Sequence, residues 1–282
     1  MTGIFLIFLV PVWVFIITPE FEKMNSNFYY YEEQIGTNAF APFRGAELQK
    51  SFEHKDTHEL KVVSTQGSNL KILSTLTAVN VETDETFLSE NRIFDVDSYT
   101  RSYKSIEKGY FLFPPNTQQQ DYFITFPLAF THAIFSFQGI DVLEGLEVYL
   151  FTCKTDPYDI SPAISIFKGD TVKSFYTCKI WIEPVTGRHV NFELMWESYY
   201  MENDKVTSLA EKGNKKTSPE FVIKLIEQAK NEKLIYTMYR NVIPFILLIS
   251  GGTILILTRS SKSRDAQIVV ENKNLIQNVE DL

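Results

Sequence analysis

Several kinds of functional motif are missing from this 282-residue sequence. It has no glycine-rich phosphate loop, no HExxH zinc motif and no GxSxG nucleophile motif. It also has no Asn-x-Ser/Thr glycosylation signal, so glycosylation gives no evidence about sidedness. These absences leave no catalytic, cofactor-binding or metal-binding residue to nominate. We expect a protein that is not an enzyme and that takes no cofactor.

Cysteine is scarce, since the chain has only Cys153 and Cys178. If the domain that holds them lies outside the cytoplasm, a disulfide is permitted, and closing a loop of this size would stabilise the fold by ~3 kcal/mol. Two unrelated buried thiols are the alternative. Both cysteines lie at the ends of strand-like runs, which favours the disulfide.

Basic residues are fewer than acidic ones, at 27 Lys and Arg against 35 Asp and Glu, which gives a net charge of −8. The two apolar runs near the chain ends are uncharged and the tail Arg259–Leu282 is neutral in sum. The whole negative excess therefore falls on the middle of the chain. Such a domain would be repelled by phosphate backbones, so we expect no nucleic acid partner.

Charge is absent from two long apolar runs, Thr2–Thr18 and Val242–Thr258. The second run has 17 residues, about the minimum for a helix that crosses a ~30 Å hydrocarbon layer. The first lacks the basic start and small-residue cleavage site of a signal peptide, so we interpret residues 1–19 as an uncleaved transmembrane helix, with a signal peptide as the alternative. The basic sequence RSSKSR after the second run predicts a two-pass cell-membrane protein with both termini cytoplasmic and the large domain extracytoplasmic.

Strand patterns dominate the region between the two runs. Alternating residues around turn signals predict three hairpins, over residues 60–81, 135–153 and 179–196, and a further strand over 87–96. The proline-rich stretch 109–127 is typical of an edge strand or loop. We therefore predict that residues 20–217 form an extracytoplasmic domain of mainly antiparallel β-sheet, within a chain that is α+β overall.

A helix start follows this domain at Ser218-Pro219-Glu220, where a capping hydroxyl precedes proline and an acidic residue. Apolar residues then recur at helical spacing, which predicts an amphipathic stalk helix over 218–241. Nothing in the sequence stops this helix, so we expect it to continue into the transmembrane segment 242–258, before a cytoplasmic tail at 259–282. Two helices with a break near Asn231 or Asn241 are the alternative.

Two further features bear on chemistry. The run His54–His58 would place two imidazoles on one face of a helix, as a zinc site needs, but ~13 Å apart on a strand. We expect a solvated polar segment there. An enzyme would require the fold to bring distant Asp, Glu and His residues together, and convergence of His54, His58, His132 and His189 is the observation that tests this. Aromatic residues make up 14% of the chain, and we expect ordinary core packing from them, with the lining of an apolar-ligand cavity as the alternative.

Parts of the chain resemble a known family. The hairpin Ile140–Phe151, the stretch Trp181–Arg188 and the capped helix that runs into an apolar span over Ser218–Thr258 resemble the PorA-like porin family of actinobacteria and archaea. The resemblance implies a protein with two membrane crossings, and the family name implies a pore.

Our functional expectation is a non-enzymatic, membrane-anchored envelope protein. Its β domain would bind an apolar ligand such as a lipid, or another envelope component. The alternative is an oligomeric pore, although the two uncharged helices offer no ionisable pore lining. The sequence leaves the oligomeric state open.

Overall fold

The computed structural model describes residues 2–104, 109–126, 131–162, 164–167 and 169–260. This part of the chain forms two compact units. One consists of the terminal helical regions, residues 2–21 and 235–260, and the other is the β-rich unit Glu22–Leu234. The predicted cytoplasmic tail lies outside the described residues from position 261 onward.

Two helices are long and apolar enough to cross a membrane, Ile4–Glu22 and Pro219–Ser260. The second is continuous over 42 residues, which confirms the predicted long helix, and it has no break at either asparagine. Each helix includes one π-helical turn. The segments are α1 (Thr2–Val12), the turn Trp13–Ile17 and α2 (Thr18–Glu22), then α3 (Pro219–Thr237) and the turn Met238–Val242.

The two helices meet at Tyr239, inside the second π-turn. Its carbonyl oxygen accepts hydrogen bonds from Trp13 Nε1 at 2.8 Å and from Thr18 Oγ1 at 3.4 Å. Its ring stacks on Phe21, with the ring centroids 3.8 Å apart. A π-turn shifts the backbone hydrogen-bond register of a helix, and such turns are frequent at functional sites.

The β-rich unit contains one antiparallel sheet of 11 strands in the described chain. The main path runs β4-β3-β2-β1-β11-β10-β9-β7-β6-β5, and β8 pairs with β9. The predicted class, mainly antiparallel β with a helix at each end, is confirmed. The strands are β1 (Tyr29–Phe40), β2 (Phe52–Gln66), β3 (Asn69–Asn80), β4 (Thr86–Asp97), β5 (Tyr122–Phe126), β6 (Thr131–Leu143), β7 (Leu146–Thr155), β8 (Tyr158–Asp159), β9 (Thr171–Glu183), β10 (Arg188–Glu202) and β11 (Lys205–Thr217).

The three predicted hairpins are present as β2–β3, β6–β7 and β9–β10. Each turns at a glycine with positive φ, namely Gly67, Gly145 and Gly187, which is the conformation that only glycine adopts freely. The proline-rich stretch supplies the edge strand β5, as predicted. Strands β1 and β11 were not predicted, because their buried positions are largely polar.

The sheet is curled into a half-barrel. Its edge strands β4 and β5 are linked by isolated bridges through the intervening segment: Val96 pairs with Tyr103, Ser102 with Tyr110, and Tyr110 with Ile124. The buried apolar side chains of the described residues form three core clusters. The helical residues Leu225, Ile226 and Ala229 pack into the same core cluster as residues of the sheet.

A disulfide joins Cys153 of β7 to Cys178 of β9. The two residues are register partners on neighbouring strands, and their Cα atoms lie 5.0 Å apart. The bond crosses between strands that are already hydrogen-bonded, within a core cluster that includes Phe151 and Ile182.

Candidate functional site

Buried polar side chains line the concave face of the sheet at the centre of its strand order. On β2, His54, Asp56 and His58 are 2%, 4% and 8% exposed, so the prediction of a solvated polar segment there is wrong. The reason is the period of a strand, because residues two apart share a face and these three all point inward. The same alternation buries Glu32, Gln34 and Asn38 on β1, and Glu211, Lys215 and Thr217 on β11.

The strand register places these residues side by side. Glu32 faces His58 and Gln34 faces Asp56 across the β1–β2 ladder. On its other side, Gln34 faces Thr217 of β11. These residues lie up to 185 positions apart in the sequence, as for Glu32 and Thr217, and antiparallel pairing brings them together. The nine buried polar residues named above, with His189 beside them, form what we call the polar seam.

The first group in the seam is centred on the Glu32 carboxylate. It accepts hydrogen bonds from the hydroxyls of Tyr30, at 2.8 Å, and Thr217, at 2.5 Å. His189 Nε2 lies 3.1 Å from Glu32 Oε2 and 2.5 Å from the Tyr30 oxygen. Burial alone would raise the pKa of Glu32, but the His189 charge and these hydrogen bonds outweigh it and lower the pKa to about 2. Glu32 is therefore a buried, ionised and fully partnered group.

His58 lies beside this group and is held neutral. Its Nε2 is 2.9 Å from Ser74 Oγ on β3. Burial lowers the pKa of the His58 imidazole to about 4; the Glu32 charge opposes this shift and the Lys215 charge adds to it. At neutral pH the His58 ring is thus uncharged.

The second group is an ion pair, in which Lys215 Nζ donates to Asp56 Oδ2 at 2.7 Å. Both side chains are 5% exposed. His54 Nδ1 lies 2.6 Å from the other Asp56 oxygen. Burial would raise the pKa of Asp56, but the Lys215 charge and the His54 contacts lower it instead. Asp56 is the acceptor that holds both basic groups in place.

The third group surrounds Glu211. Asn38 Nδ2 donates to its Oε1 at 2.8 Å, and the Ser198 hydroxyl donates to its Oε2 at 3.1 Å. Burial raises the pKa of this carboxyl, because the hydrogen bonds from its neighbours and the charge of His54 offset the desolvation only in part.

A cavity of about 90 Å³ lies against the first group. Its polar end is formed by Tyr30, Glu32, Gln34, His58 and His189. Gln34 Oε1 is buried there without a hydrogen-bond partner among the described residues. The walls are apolar and come from Leu60, Phe111, Leu112, Phe113, Ile124, Phe135, Ile180, Ile182 and Phe192.

A second cavity, of about 80 Å³, lies against the other two groups. His54 Nε2 is buried at this cavity and has no hydrogen-bond partner among the described residues. The remaining lining includes Asn38, Phe40, Asp56, Leu76, Ala78, Phe87, Tyr176, Leu194, Trp196, Glu211 and Lys215.

The candidate histidines do not form one cluster. His58 and His189 line the first cavity and His54 lines the second. His132 lies in β6, and its side chain is outside the described part of the structure. Within the described residues, no group of three or more His, Cys, Asp or Glu side chains could hold a metal ion.

Sequence reasoning missed most of the seam, including Glu32, Gln34, Lys215 and Glu211. One signal was present: His54, Asp56 and His58 are spaced two apart, so a strand places all three on one face. The predicted hairpin began at residue 60, whereas β2 begins at Phe52, so the prediction did not treat residues 54–58 as part of a strand.

The chain was also compared with known proteins. No curated protein matches it. A family model described as Porin PorA matches residues 63–258, which is 196 of the 282 residues. The matched region contains His189, Glu211 and Lys215 of the seam, while Glu32 and His54 precede it. This match confirms the resemblance seen in the sequence, and the chain belongs to the PorA family.

Proposed function

We propose that this chain is a membrane-anchored, non-enzymatic envelope protein whose β domain binds an apolar ligand in the first cavity. One observation carries the proposal: the cavity of about 90 Å³ has aromatic and aliphatic walls and polar groups at one end. Ligand sites in proteins typically combine such walls with a few convergent polar groups. The matching ligand is an amphiphile, with a hydrocarbon part and a small polar end.

The volume limits how much of the ligand enters. A dry cavity of about 150 Å³ holds benzene, so 90 Å³ accepts roughly a few methylene groups. The rest of a longer chain would leave through the open side of the cavity. The Gln34 amide oxygen, which lacks a partner in the described residues, offers the ligand a hydrogen-bond acceptor.

The state of the ionisable groups supports binding rather than catalysis. Glu32 is saturated by Tyr30, His189 and Thr217, and its low pKa of about 2 makes it a poor base. His58 is a neutral wall residue with a pKa of about 4, below the range useful for acid–base chemistry at neutral pH. We therefore assign these groups the role of positioning the ligand.

The membrane arrangement belongs to the same proposal. Two helices of sufficient length and apolarity lie at the two ends of the chain, and the basic RSSKSR sequence follows the second. This distribution favours cytoplasmic termini and an extracytoplasmic β domain. A disulfide between Cys153 and Cys178 fits an oxidising compartment. A cysteine introduced at an exposed position of the β domain, by Val63→Cys, should be labelled by a membrane-impermeant maleimide on intact cells, and labelling that requires lysis would contradict the arrangement.

The family description, Porin PorA, favours a pore as a second candidate function. The sheet itself is a poor membrane barrel, because its outward positions carry charges such as Lys55, Lys61 and Lys212, where a lipid-facing strand needs apolar residues. A pore would have to be formed by several copies of the uncharged helices. Conductance of the purified protein in planar bilayers tests this candidate, and silence over a range of voltages and lipids would remove it.

The binding proposal is tested with neighbouring substitutions on β6. Phe135 is 1% exposed and lines the cavity, whereas Ile134 is 55% exposed. The full-length protein in lipid nanodiscs is titrated with radiolabelled hexadecanol, and empty nanodiscs give the background partition. Filling the cavity with Phe135→Trp should weaken binding about tenfold, or roughly 1.4 kcal/mol. Ile134→Trp adds a similar bulk outside and should leave binding unchanged. Equal binding by wild type and both variants would overturn the proposal, as would no binding above background.

A further inference from the structure

The walls of the second cavity carry an unbalanced negative charge. Two acidic residues, Asp56 and Glu211, line it together with one basic residue, Lys215. Asp56 and Lys215 form an ion pair, with 2.7 Å between Oδ2 and Nζ, so their charges cancel. Burial raises the pKa of the Glu211 carboxyl, and a cation bound beside it would lower that pKa again. The described hydrogen-bond donors to this carboxyl are neutral groups, those of Asn38, Ser198 and Trp196.

A buried imidazole nitrogen adds a hydrogen-bond acceptor to the same cavity. The lowered pKa of Asp56, caused by the Lys215 charge and the His54 contacts, keeps it a carboxylate, which can only accept. The 2.6 Å contact between Asp56 and His54 Nδ1 therefore requires a proton on Nδ1. When the His54 ring is neutral, Nε2 then keeps its lone pair, and this atom is buried without a partner among the described residues. A ligand that donates an N–H to Nε2 would remove the cost of leaving it unpaired.

Aromatic rings form much of the remaining wall. Phe40 and Phe87 have ring centroids 6.4 Å apart, and those of Tyr176 and Trp196 are 6.5 Å apart. The His54 ring lies 5.8 Å from Phe87 and 6.0 Å from Trp196, so it stands between the two pairs. Aromatic faces attract cations, and sets of such rings recognise ammonium groups in particular.

The size of the cavity limits the ligand to a small molecule or a small end of a larger one. Its volume is about 80 Å³. A dry cavity of about 150 Å³ holds the six carbons of benzene, so roughly three non-hydrogen atoms fit here. Phe87, Leu88 and Ile164 line the cavity and are partly exposed, and a ligand can enter on their side.

We propose that the second cavity is a separate binding site for a primary ammonium group on a short carbon chain. The ammonium group donates hydrogen bonds to the Glu211 carboxylate and to His54 Nε2, and its charge balances that of Glu211. Its carbon atoms lie against the aromatic rings. A neutral alcohol of equal size lacks the charge, and a quaternary ammonium lacks the N–H donors. The site is independent of the amphiphile proposed for the first cavity.

The experiment uses ethylammonium chloride, which has three non-hydrogen atoms in its cation. Saturation-transfer NMR gives its dissociation constant with the full-length protein in phosphatidylcholine nanodiscs at physiological salt, and empty nanodiscs give the background. Glu211→Gln removes the charge and keeps the shape of the side chain. Ala78→Leu fills the cavity from a wall position that is 1% exposed. Glu197→Gln on β10 is the matched control, because this side chain is 44% exposed.

Wild type and Glu197→Gln should bind ethylammonium equally. Glu211→Gln and Ala78→Leu should raise the dissociation constant about tenfold or more, as the loss of a hydrogen bond to a charged group does. Ethanol, which matches the ligand in size but is uncharged, should bind the wild type at least as weakly as that.

Thermal unfolding shows which variants are folded, and only those are compared. An unchanged dissociation constant in folded Glu211→Gln or Ala78→Leu would overturn the ammonium site, as would no binding to the wild type above background. Equal binding of ethanol and ethylammonium would also overturn it, and this comparison needs no variant. None of these results bears on the first cavity.

The ammonium group could come from a free amine or from the ethanolamine headgroup of a lipid, which carries the same short chain. Nanodiscs that contain phosphatidylethanolamine distinguish these sources. Weaker apparent binding of ethylammonium to the wild type in these nanodiscs would support the site and identify the headgroup as a competitor for it. Unchanged binding would support the site as one for a free amine.

Discussion

At the scale of single residues, Gly36 is the position where the polar seam is most tightly constrained. A Cβ atom there would lie 2.0 Å from the Asn214 carbonyl oxygen and 2.8 Å from His54 Nε2. The first of these contacts is with backbone, so it cannot be relieved by a rotamer change. The close approach of β1 and β11 therefore requires glycine.

We expect Gly36→Ala to lower the free energy of unfolding by about 1–3 kcal/mol, the usual effect of overpacking. Gly139 in β6 is the matched control, because a Cβ there would meet nothing within 4 Å. Denaturant unfolding should leave Gly139→Ala within about 0.5 kcal/mol of the wild type. Equal stability of the two variants would contradict this account of the β1–β11 contact.

The neutral His58 predicts a pH dependence. Its folded pKa of about 4 lies below the ordinary value of 6.5, so the unfolded chain binds the proton more readily between these values. The contribution of the neutral His58 to the free energy of unfolding is then fully present above pH 6.5. About 3 kcal/mol of it is lost as the pH falls towards 4. Glu32, with a pKa of about 2, adds a further loss below pH 4.5.

The measurement is the melting temperature between pH 7 and pH 4 for the wild type and His58→Gln. The wild type should lose roughly 2–4 °C per kcal/mol of stability over this range. The variant should show a clearly shallower fall, since it lacks the buried imidazole. A variant with the wild-type pH profile would show that His58 is not the group responsible.

At the scale of elements, the first turns of α3 are held on the β-rich unit by a narrow buried face. Leu225 and Ile226 are 1% and 2% exposed, while Ile223 is 56% exposed. Polar contacts border this face, including the Arg188 guanidinium, which pairs with Glu232, and Lys233, whose Nζ lies 3.3 Å from Glu183. The helix is thus part of the fold of this unit.

We expect Leu225→Ala to destabilise the protein by about 2–5 kcal/mol, because it removes buried methyl groups and leaves a cavity. Ile223→Ala, two residues away on the same helix, should change stability by less than about 0.5 kcal/mol. Hydrogen exchange of the α3 amides reports the effect locally, and unchanged protection in Leu225→Ala would refute the packing role of this helix.

The elements that the sequence predicted are those whose buried residues are apolar. The β6–β7 hairpin combines apolar inward residues with a turn at Gly145, and α3 begins at its predicted cap. Strand β1 was missed because its inward positions include Glu32 and Gln34, so the polarity pattern that signals a half-buried strand is inverted. The candidate site lies on this strand and its neighbours. Its polar residues are buried through contacts with residues distant in sequence, as Glu32 is by His189 and Thr217.

At the scale of the whole molecule, the disulfide between Cys153 and Cys178 makes the stability of the fold depend on an oxidising compartment. Removing it through the double change Cys153→Ala and Cys178→Ala should lower stability by about 3 kcal/mol, as the loop-closure relation gives for a separation of 25 residues. Reductant should lower the melting temperature of the wild type and leave the double variant unchanged. A wild type that is insensitive to reductant under unfolding conditions would show that the two thiols are not linked in the cell-derived protein.

The family assignment, the two apolar helices and the half-barrel together describe a β domain with a lined cavity, in a chain with two membrane-spanning candidates. The chemistry of this cavity was outside the reach of sequence patterns, because the lining of the first cavity comes from six strands and the segment that joins β4 to β5. The central claim is that this first cavity holds hydrocarbon.

The most direct test is native mass spectrometry of the full-length protein purified in a mild detergent, with hexadecanol added and then removed by exchange. Wild type and Ile134→Trp should retain an adduct with the mass of the alcohol or of a co-purified amphiphile. Phe135→Trp, whose larger ring fills the cavity, should retain little of it. Equal retention by all three proteins, or no adduct on the wild type, would contradict the account.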